Sequence, residues 1–321
     1  MNSLYEDTLI EIFGKVQIKD LHVLNERRHI FVCGGPVDVN ASTPLSLRHR
    51  YHTYTITHNS EVHDSTLFAE EFKDYFKDEI FPNLTVFENE IASIASLIII
   101  FLESAGSLVE LGMFCTRPNL FDKLLIIAPS DKVQGEDSFI FLGPLEHIMR
   151  KDNSSVAIFP WPNGEEEYSN DNLKLLDCIV NDNLKKLAKR PKFRVDEFGH
   201  KAILIAEIIR ICFPILKGEL ELCLEALNIK MDGVELARHI YLLSKLELIN
   251  KYRYSNYKYY YPIDFKSEQI DFGNKINFEG SKVSIQLRQL YFDQKDEQSK
   301  KRWNALRNIM KTIKGASNEN N

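Results

Sequence analysis

The sequence predicts an α/β protein: a mostly parallel sheet with helices on both faces, followed by a smaller domain of helices and a β-hairpin. Three observations predict it. Apolar runs over 29–33, 97–102, 123–128 and 156–159 alternate with amphipathic segments, the pattern of buried parallel strands joined by helices. The run ending at Leu102 turns through Glu103-Ser104-Ala105-Gly106 and restarts as a helix at Ser107. A buried strand, a small-residue turn and a helix N-terminus together form a common ligand site of such sheets. After Pro191 the pattern changes to three helices and a tyrosine-rich hairpin. A chain of 321 residues suggests two domains, expected at 1–191 and 192–321.

Composition narrows the class. With 44% hydrophobic and 27% charged residues, the chain is an ordinary globular one. No apolar run reaches the roughly 18 residues that span a bilayer, and the N-terminus is acidic and amphipathic rather than a basic leader. A cytoplasmic protein without a membrane partner is expected. Cys33, Cys115, Cys178, Cys212 and Cys223 form no CxxC pair and no Cys/His cluster, so reduced core thiols are expected and a metal is not. Residues 195–321 hold 20 Lys and Arg against 17 Asp and Glu, a net of +3; residues 1–194 hold 20 against 29, a net of −9. Such asymmetry fits two domains with different partners.

In chain order, residues 4–13 place Leu4, Thr8, Leu9, Ile12 and Phe13 on one helical face. The strand over 29–33 stops at Gly34-Gly35-Pro36, a turn. Two glycines there either admit a ligand close to the backbone or simply make the turn. Residues 40–65 are polar, carry His49, His52, His58 and His63 without ligand spacing, and read as a surface segment. Arg48 stands out in it as a phosphate partner. Phe68, Phe72, Phe76 and Ile80 recur every four residues and predict a helix over 67–80, with Glu70 and Glu71 at its start, where carboxylates suit the dipole. Glu88-Asn89 open a short helix feeding the strand over 97–102. A strand over 123–128, a helix from Gly143-Pro144 to Arg150, a strand over 156–159 and a loop over 160–167 come next. Leu173, Leu176, Val180, Leu184 and Leu187 line a helix that closes the first domain.

The second domain opens with a helix over 201–213, broken at Pro214. A second, over 218–229, turns Leu220, Leu224 and Leu227 inward. Asp232 caps a third, with Val234, Ala237, Tyr241 and Leu248 on its buried side. In residues 250–263 Tyr252, Tyr254, Tyr257, Tyr259 and Tyr261 alternate with Lys251, Arg253 and Lys258 about Ser255-Asn256, a hairpin signature. Three helices and a hairpin outline a winged helix, a helix-turn-helix variant. In this reading Arg238, His239 and Lys245 are exposed on the third helix and Lys251, Arg253 and Lys258 on the wing. They are candidates to bind nucleic acid through phosphate contact and base stacking. A protein-interaction domain with tyrosines stacked on one another is the other reading. Residues 299–314 form a basic helix and 315–321 are expected to be disordered.

The chemistry centres on residues 104–112. Ser107 with Glu110 three residues later reads as a capping box. The same stretch also reads as a site. A carboxylate at a strand's carboxyl end can stabilise, or bond to, an electron-poor sugar carbon as a glycosidic bond breaks. Glu110 is then the catalytic candidate. Ser104, Ser107 and Asn89 could hold sugar hydroxyls. Backbone N–H groups at Gly34-Gly35 or Gly106-Ser107 could hold a phosphate. Glu70, Glu88 and Glu103 are candidates for a general acid.

Cys33-Gly34-Gly35, Glu70-Glu71, Glu88-Asn89 and residues 103–112 (ESAGSLVELG) together resemble the nucleoside 2-deoxyribosyltransferase-like proteins. More closely, they resemble the toxic effectors encoded beside retron reverse transcriptases, which join such a domain to a C-terminal winged helix. The specific part is the SxGSxxELG stretch, with the glycine pair in support; the C-terminal match is architectural. The resemblance implies a flavodoxin-like fold, with Glu110 as nucleophile or oxocarbenium stabiliser at C1′. It implies cleavage of an N-glycosidic bond in a nucleotide-type molecule, with NAD+ the leading substrate and no cofactor. It also implies anti-phage defence, with the toxin held in check by a reverse transcriptase and its multicopy single-stranded DNA (msDNA). A higher-order oligomer is compatible with it. Nicotinamide leaves as a neutral pyridine and needs no acid, whereas adenine or thymine normally needs protonation. Against this stands a regulator: a nucleotide-sensing domain governing a DNA-binding winged helix without catalysis, since the fold alone does not decide. A nucleotide-processing housekeeping enzyme is a third reading.

Overall fold

A computed structural model describes residues 3–24, 28–38, 40–41, 43–76, 80–133, 139–162, 168–187, 189–273 and 278–319. The chain divides into two compact units, Arg27–Ala188 and a discontinuous one made of Met1–Glu26 with Lys189–Asn321. The N-terminal residues, expected in the first domain, therefore belong to the second unit. The reason lies in α1 (Leu4–Gly14), capped reciprocally by Ser3 and Glu6. Its buried face is Tyr5, Leu9 and Phe13, while Leu4 stays exposed. The Tyr5 hydroxyl donates to the Cys212 carbonyl at 3.0 Å. Beyond it, β1 (His22–Val23) pairs antiparallel with Ile270–Asp271.

The unit Arg27–Ala188 is built on a parallel sheet of β2 (Ile30–Cys33), β3 (Thr66–Leu67), β4 (Leu97–Phe101), β5 (Leu124–Pro129) and β6 (Val156–Phe159). The order across it is β3-β2-β4-β5-β6, and every neighbouring pair is parallel. Counted along the unit, this is 2-1-3-4-5, an order of doubly wound α/β sheets. β2, β4 and β5 are buried throughout, which is why they read as unbroken apolar runs. β6 is an edge and leaves Ile158 exposed.

The connections differ more from expectation. The surface segment expected over 40–65 is surface only in part: residues 47–65 hold α2 (Leu47–His58), with Leu47, Arg48, His49, Arg50, Tyr51 and Thr55 buried, and the more exposed α3 (Ser60–Ser65). The helix expected over 67–80 is instead β3 followed by 3-10 turns over Ala69–Phe76; residues 77–79 lie outside the described ones. α4 (Leu84–Ile94) is capped by Asn83, so Glu88 and Asn89 lie inside it rather than at its start. α5 (Ala105–Phe114) comes after β4, and α6 (Ser130–Val133) and α7 (Glu146–Met149) lie between β5 and β6 in sequence. The expected loop over 160–167 is irregular at 160–162; residues 163–167 lie outside the described ones. α8 (Asn170–Lys186) buries Leu173, Leu176, Val180 and Leu184 as their spacing predicts. These side chains share one core with Ile30, Val32, Leu97, Ile99, Phe101, Leu125 and Ile127 from alternate strand positions, and with Leu47, Tyr51, Val62 and Phe68. Alternation turns Cys33 to the other sheet face.

The second unit continues with α9 (Phe198–Cys212), β7 (Ile215–Leu216), α10 (Lys217–Ala226) and α11 (Gly233–Lys245). β8 (Ile249–Tyr254), β9 (Tyr257–Pro262), β10 (Ile270–Asp271), α12 (Gly280–Asp293) and α13 (Glu297–Glu319) complete it. β8 and β9 form the expected hairpin about Ser255-Asn256, and β7 joins it in the order β7-β9-β8. Ser255 takes the left-handed conformation, φ 53°, that the tight turn requires. Asp232 caps α11 through Val234 and Glu235 N–H, but Val234 is exposed and Leu248 lies beyond the helix. α13 runs past the expected end at residue 314 to Glu319, so 315–319 are helical. Its Arg302 is buried, accepted by the Glu219 carboxylate and by the Pro214 carbonyl at 2.6 Å. The guanidinium also lies 4.0 Å from the Tyr5 ring centroid and 5.6 Å from that of Tyr259. Cys33, Cys212 and Cys223 are core thiols as expected; Cys115 is half-buried and Cys178 exposed.

Candidate active site

The switch in strand order falls between β2 and β4, and ligands of open α/β sheets bind in the crevice at such a point. A single carboxylate ties together the loops that leave these two strands. Glu103 Oε1 accepts the N–H of Gly35 at 2.9 Å and of Arg48 at 3.1 Å, and Oε2 accepts that of Leu47 at 2.8 Å. Glu103 thus occupies the amide-rich start of α2, the place where a helix N-terminus would take an external anion. The glycines serve the same packing. A Cβ on Gly35 would meet Ser46 Cβ at 2.7 Å, and one on Gly34 would meet Phe101 Cβ at 3.0 Å. The close approach is to the chain itself, and the Gly35 N–H, expected to be open to a phosphate, is already bonded.

The start of α5 is equally well bonded. Ser104 is its N-cap, with Ser107 the reciprocal partner. Ser104 Oγ accepts the Ser107 N–H at 3.0 Å and donates to the Gly34 carbonyl at 3.1 Å. Ser107 Oγ donates to the Ser104 carbonyl at 2.9 Å and accepts the Ser104 N–H at 3.1 Å. Ser107 is fully buried and holds the turn rather than facing a ligand. The capping box therefore lies three residues earlier than Ser107–Glu110, and Glu110 has no part in it. Gly106 sits at the exposed start of α5, with the nearest atom to a Cβ there 3.6 Å away.

Glu110, one turn further, is half-buried. Burial pushes its carboxyl above the usual range; a hydrogen bond from the Cys33 thiol and the Arg48 charge pull it back, and Glu70 pushes it further up. Glu88 is buried on α4 and rises to about 7, through burial first, then through Glu110 and Glu70. Burial likewise raises the Cys33 thiol, helped by Glu110 and Glu88. Three carboxylates thus share one neighbourhood with one buried guanidinium. That guanidinium, Arg48, donates to the Val32 carbonyl at 3.2 Å and to Glu70 Oε1 at 2.7 Å, and lies 5.1 Å from the Phe68 ring centroid. It is held within the site and only 3% exposed, not offered to solvent as a phosphate partner. Glu70, expected as a helix-start carboxylate, is its partner. Asn89 donates to the Thr85 carbonyl at 2.7 Å, and its buried Oδ1 has no partner among the described residues.

Of the residues named from the sequence, the structure brings Glu110, Glu88 and Glu70 together and ties Ser104 into the turn; Cys33 as a contact of Glu110 and Glu103 as the anchor of the loop were not anticipated. The signal for Glu103 was present: a carboxylate directly after a buried strand and one residue before an N-cap. In the second unit, Lys251, Arg253 and Lys258 are exposed as expected, and Arg238 and Lys245 are half-exposed. His239 is not exposed. It is fully buried, stacked on Phe198 with ring centroids 3.8 Å apart, and burial pulls its pKa down to about 4.

Fold and site together define a doubly wound α/β protein with a carboxylate cluster at the switch crevice, joined to a helical unit with a basic hairpin. A family model described as the STM3845 retron effector protein matches residues 44–251, and the chain belongs to that family. Two curated relatives, both from Escherichia coli, are named retron Ec73 and retron Ec86 putative ribosyltransferase/DNA-binding protein. The first is 27% identical over 282 residues, covering 79% of this chain and 85% of its own length. The second is 35% identical over 131 residues, covering 40% and 39%. Among the described residues no helix is long and apolar enough to cross a membrane.

Proposed function

We propose that this retron effector is an N-glycosidase whose unit Arg27–Ala188 breaks the bond between C1′ and the base of a nucleotide-type molecule, with NAD+ as the leading substrate. The observation that carries this reading is the grouping of Glu110, Glu88 and Glu70 at the switch crevice, with Glu110 free of the cap. Glu110 acts at C1′, either bonding to the sugar carbon or stabilising its positive charge as the electron pair leaves with the base. Water completes the reaction, taking up the ribosyl group and releasing a proton. The names of the relatives, which specify ribosyl transfer, support the same chemistry.

Electrostatics favours a pyridinium substrate. With Arg48 already paired to Glu70, the Glu110 carboxylate suits a base that carries positive charge in the ground state. Glu88, whose carboxyl is pushed up to about 7 by burial and by Glu110 and Glu70, is the general acid for a base that must be protonated to leave. Glu103 is excluded from that role by its three amide bonds. Asn89 Oδ1 is the free acceptor for a sugar hydroxyl. The helices α9, α10 and α11 with the β7-β9-β8 sheet act as a winged helix that binds the retron's nucleic acid or reverse transcriptase. In the cell the msDNA–reverse transcriptase complex holds the toxin inactive until phage infection. The test is expression in cells lacking the retron. The wild-type chain arrests growth and depletes NAD+, and Glu110→Ala does neither while accumulating to the same level. Arrest by Glu110→Ala would sink the reading.

A further inference from the structure

The sequence interleaves tyrosines and cations along the hairpin, but the register separates them. Residues directly opposite one another in an antiparallel pair share a face. The pairs are Tyr252 with Tyr259, Tyr254 with Tyr257, Lys251 with Tyr260 and Arg253 with Lys258. One face therefore carries Tyr252, Tyr254, Tyr257, Tyr259 and Tyr261 with Asn250, and the other carries Lys251, Arg253 and Lys258 beside the buried Tyr260. The tyrosine face is turned towards α13: Lys301 Nζ lies 5.5 Å from the Tyr257 ring centroid and Arg302 5.6 Å from that of the fully buried Tyr259. The cationic face is open. Lys251, Arg253 and Lys258 are exposed, and among the described residues none of them is paired with a carboxylate. Arg253 and Lys258 stand directly opposite, a like-charge pair that destabilises a sheet unless an anion compensates it.

The helix that would enter a groove is poorly suited to do so. The cleft at the start of α11 is lined by Glu221, Glu225, Asp232 and Glu235 beside Lys230. His239 is buried beneath the helix, so its charge is withdrawn. Carboxylates at that position repel phosphate.

We propose that the cationic face of the hairpin, and not α11, is a docking surface for the phosphate backbone of a nucleic-acid duplex, without base-specific contact. A duplex is favoured over a single strand because single strands are held on open aromatic platforms, and here Tyr257 and Tyr259 lie against cations of α13 on the face opposite Lys251, Arg253 and Lys258. This rests on reading the second unit as a nucleic-acid tether and is independent of the glycosidase chemistry.

The test is equilibrium binding of the full chain, in the Glu110→Gln background, to a fluorescent DNA duplex of arbitrary sequence, to one of its strands, and to polyglutamate. Salt is varied between about 50 and 200 mM. The duplex binds best, and a second duplex of unrelated sequence binds equally. The triple variant Lys251→Gln/Arg253→Gln/Lys258→Gln, with an unchanged melting profile, loses at least tenfold in affinity. Its log–log salt slope falls by about 0.9 per contacted phosphate, about 2.7 in all. Arg238→Gln/Lys245→Gln stays within twofold of the parent. An unchanged slope in the triple variant, tighter binding of the single strand, preference for polyglutamate, or no duplex binding would each overturn the proposal. None of these outcomes bears on turnover at Glu110.

Discussion

Glu88 is the residue whose protonation is most open to measurement. Its carboxyl sits at about 7 in the folded chain against an ordinary value of 4.5, so the folded state holds a proton that the unfolded state releases. Stability contributed by the neutral form is therefore full at low pH and is lost as pH rises from about 4.5 through 7. Glu88→Gln keeps the shape and cannot ionise. It is predicted to melt higher than wild type at pH 8, with the advantage vanishing by pH 4; calorimetry across that range checks it. The same residue makes a kinetic prediction. With a substrate whose base needs a proton to leave, activity falls as pH rises through about 7, and Glu88→Gln loses about 10²-fold or more. With NAD+ the falling limb is absent and the variant stays active. A falling limb at pH 7 with NAD+ would assign Glu88 a different role.

At the scale of elements, the loop after β2, the start of α2 and the start of α5 are tied together by Glu103 and Ser104. Glu103→Ala strips the acceptor from three amides, at a cost of about 1–3 kcal/mol for each buried group left unbonded. It is predicted to speed amide exchange at Gly35, Leu47 and Arg48 and to abolish activity without touching Glu110; protection at those amides equal to wild type would refute the anchoring role. This is also where the sequence was least legible. The buried strands, α8 and the hairpin could be read directly, because each is an apolar run or a strict period that one local rule explains. α2 could not, because Arg48, His49 and Arg50 are buried for reasons supplied by distant partners such as Glu70. β3 is two residues long and exists only by pairing with β2. The cap of α5 was misplaced by three residues because two serines, Ser104 and Ser107, both satisfy the local pattern, and only the Gly34 carbonyl distinguishes them. The corrected cap leaves Glu110 outside it, half-buried one turn into α5.

At the scale of the whole molecule, the two units carry different chemistry and answer to different tests. In the second, the buried Arg302 joins α13 to α10 through Glu219 and stacks on Tyr5 of α1. Removing one member of a buried pair typically costs about 3–5 kcal/mol, so Arg302→Ala is predicted to destabilise that unit by this amount, read by denaturant unfolding. A loss under about 1 kcal/mol would mean the pair is solvated, as surface pairs are. The glycosidase chemistry belongs to the other unit under the proposed function. Purified chain, freed of nucleic acid, is incubated with NAD+, nucleotides and deoxynucleosides, and products are identified by mass spectrometry, with Glu110→Gln as control. Nicotinamide and ADP-ribose are expected from the wild type and intact NAD+ from the variant. Intact substrates throughout, with the reverse transcriptase complex absent and then present, would contradict it and leave a nucleotide sensor in its place.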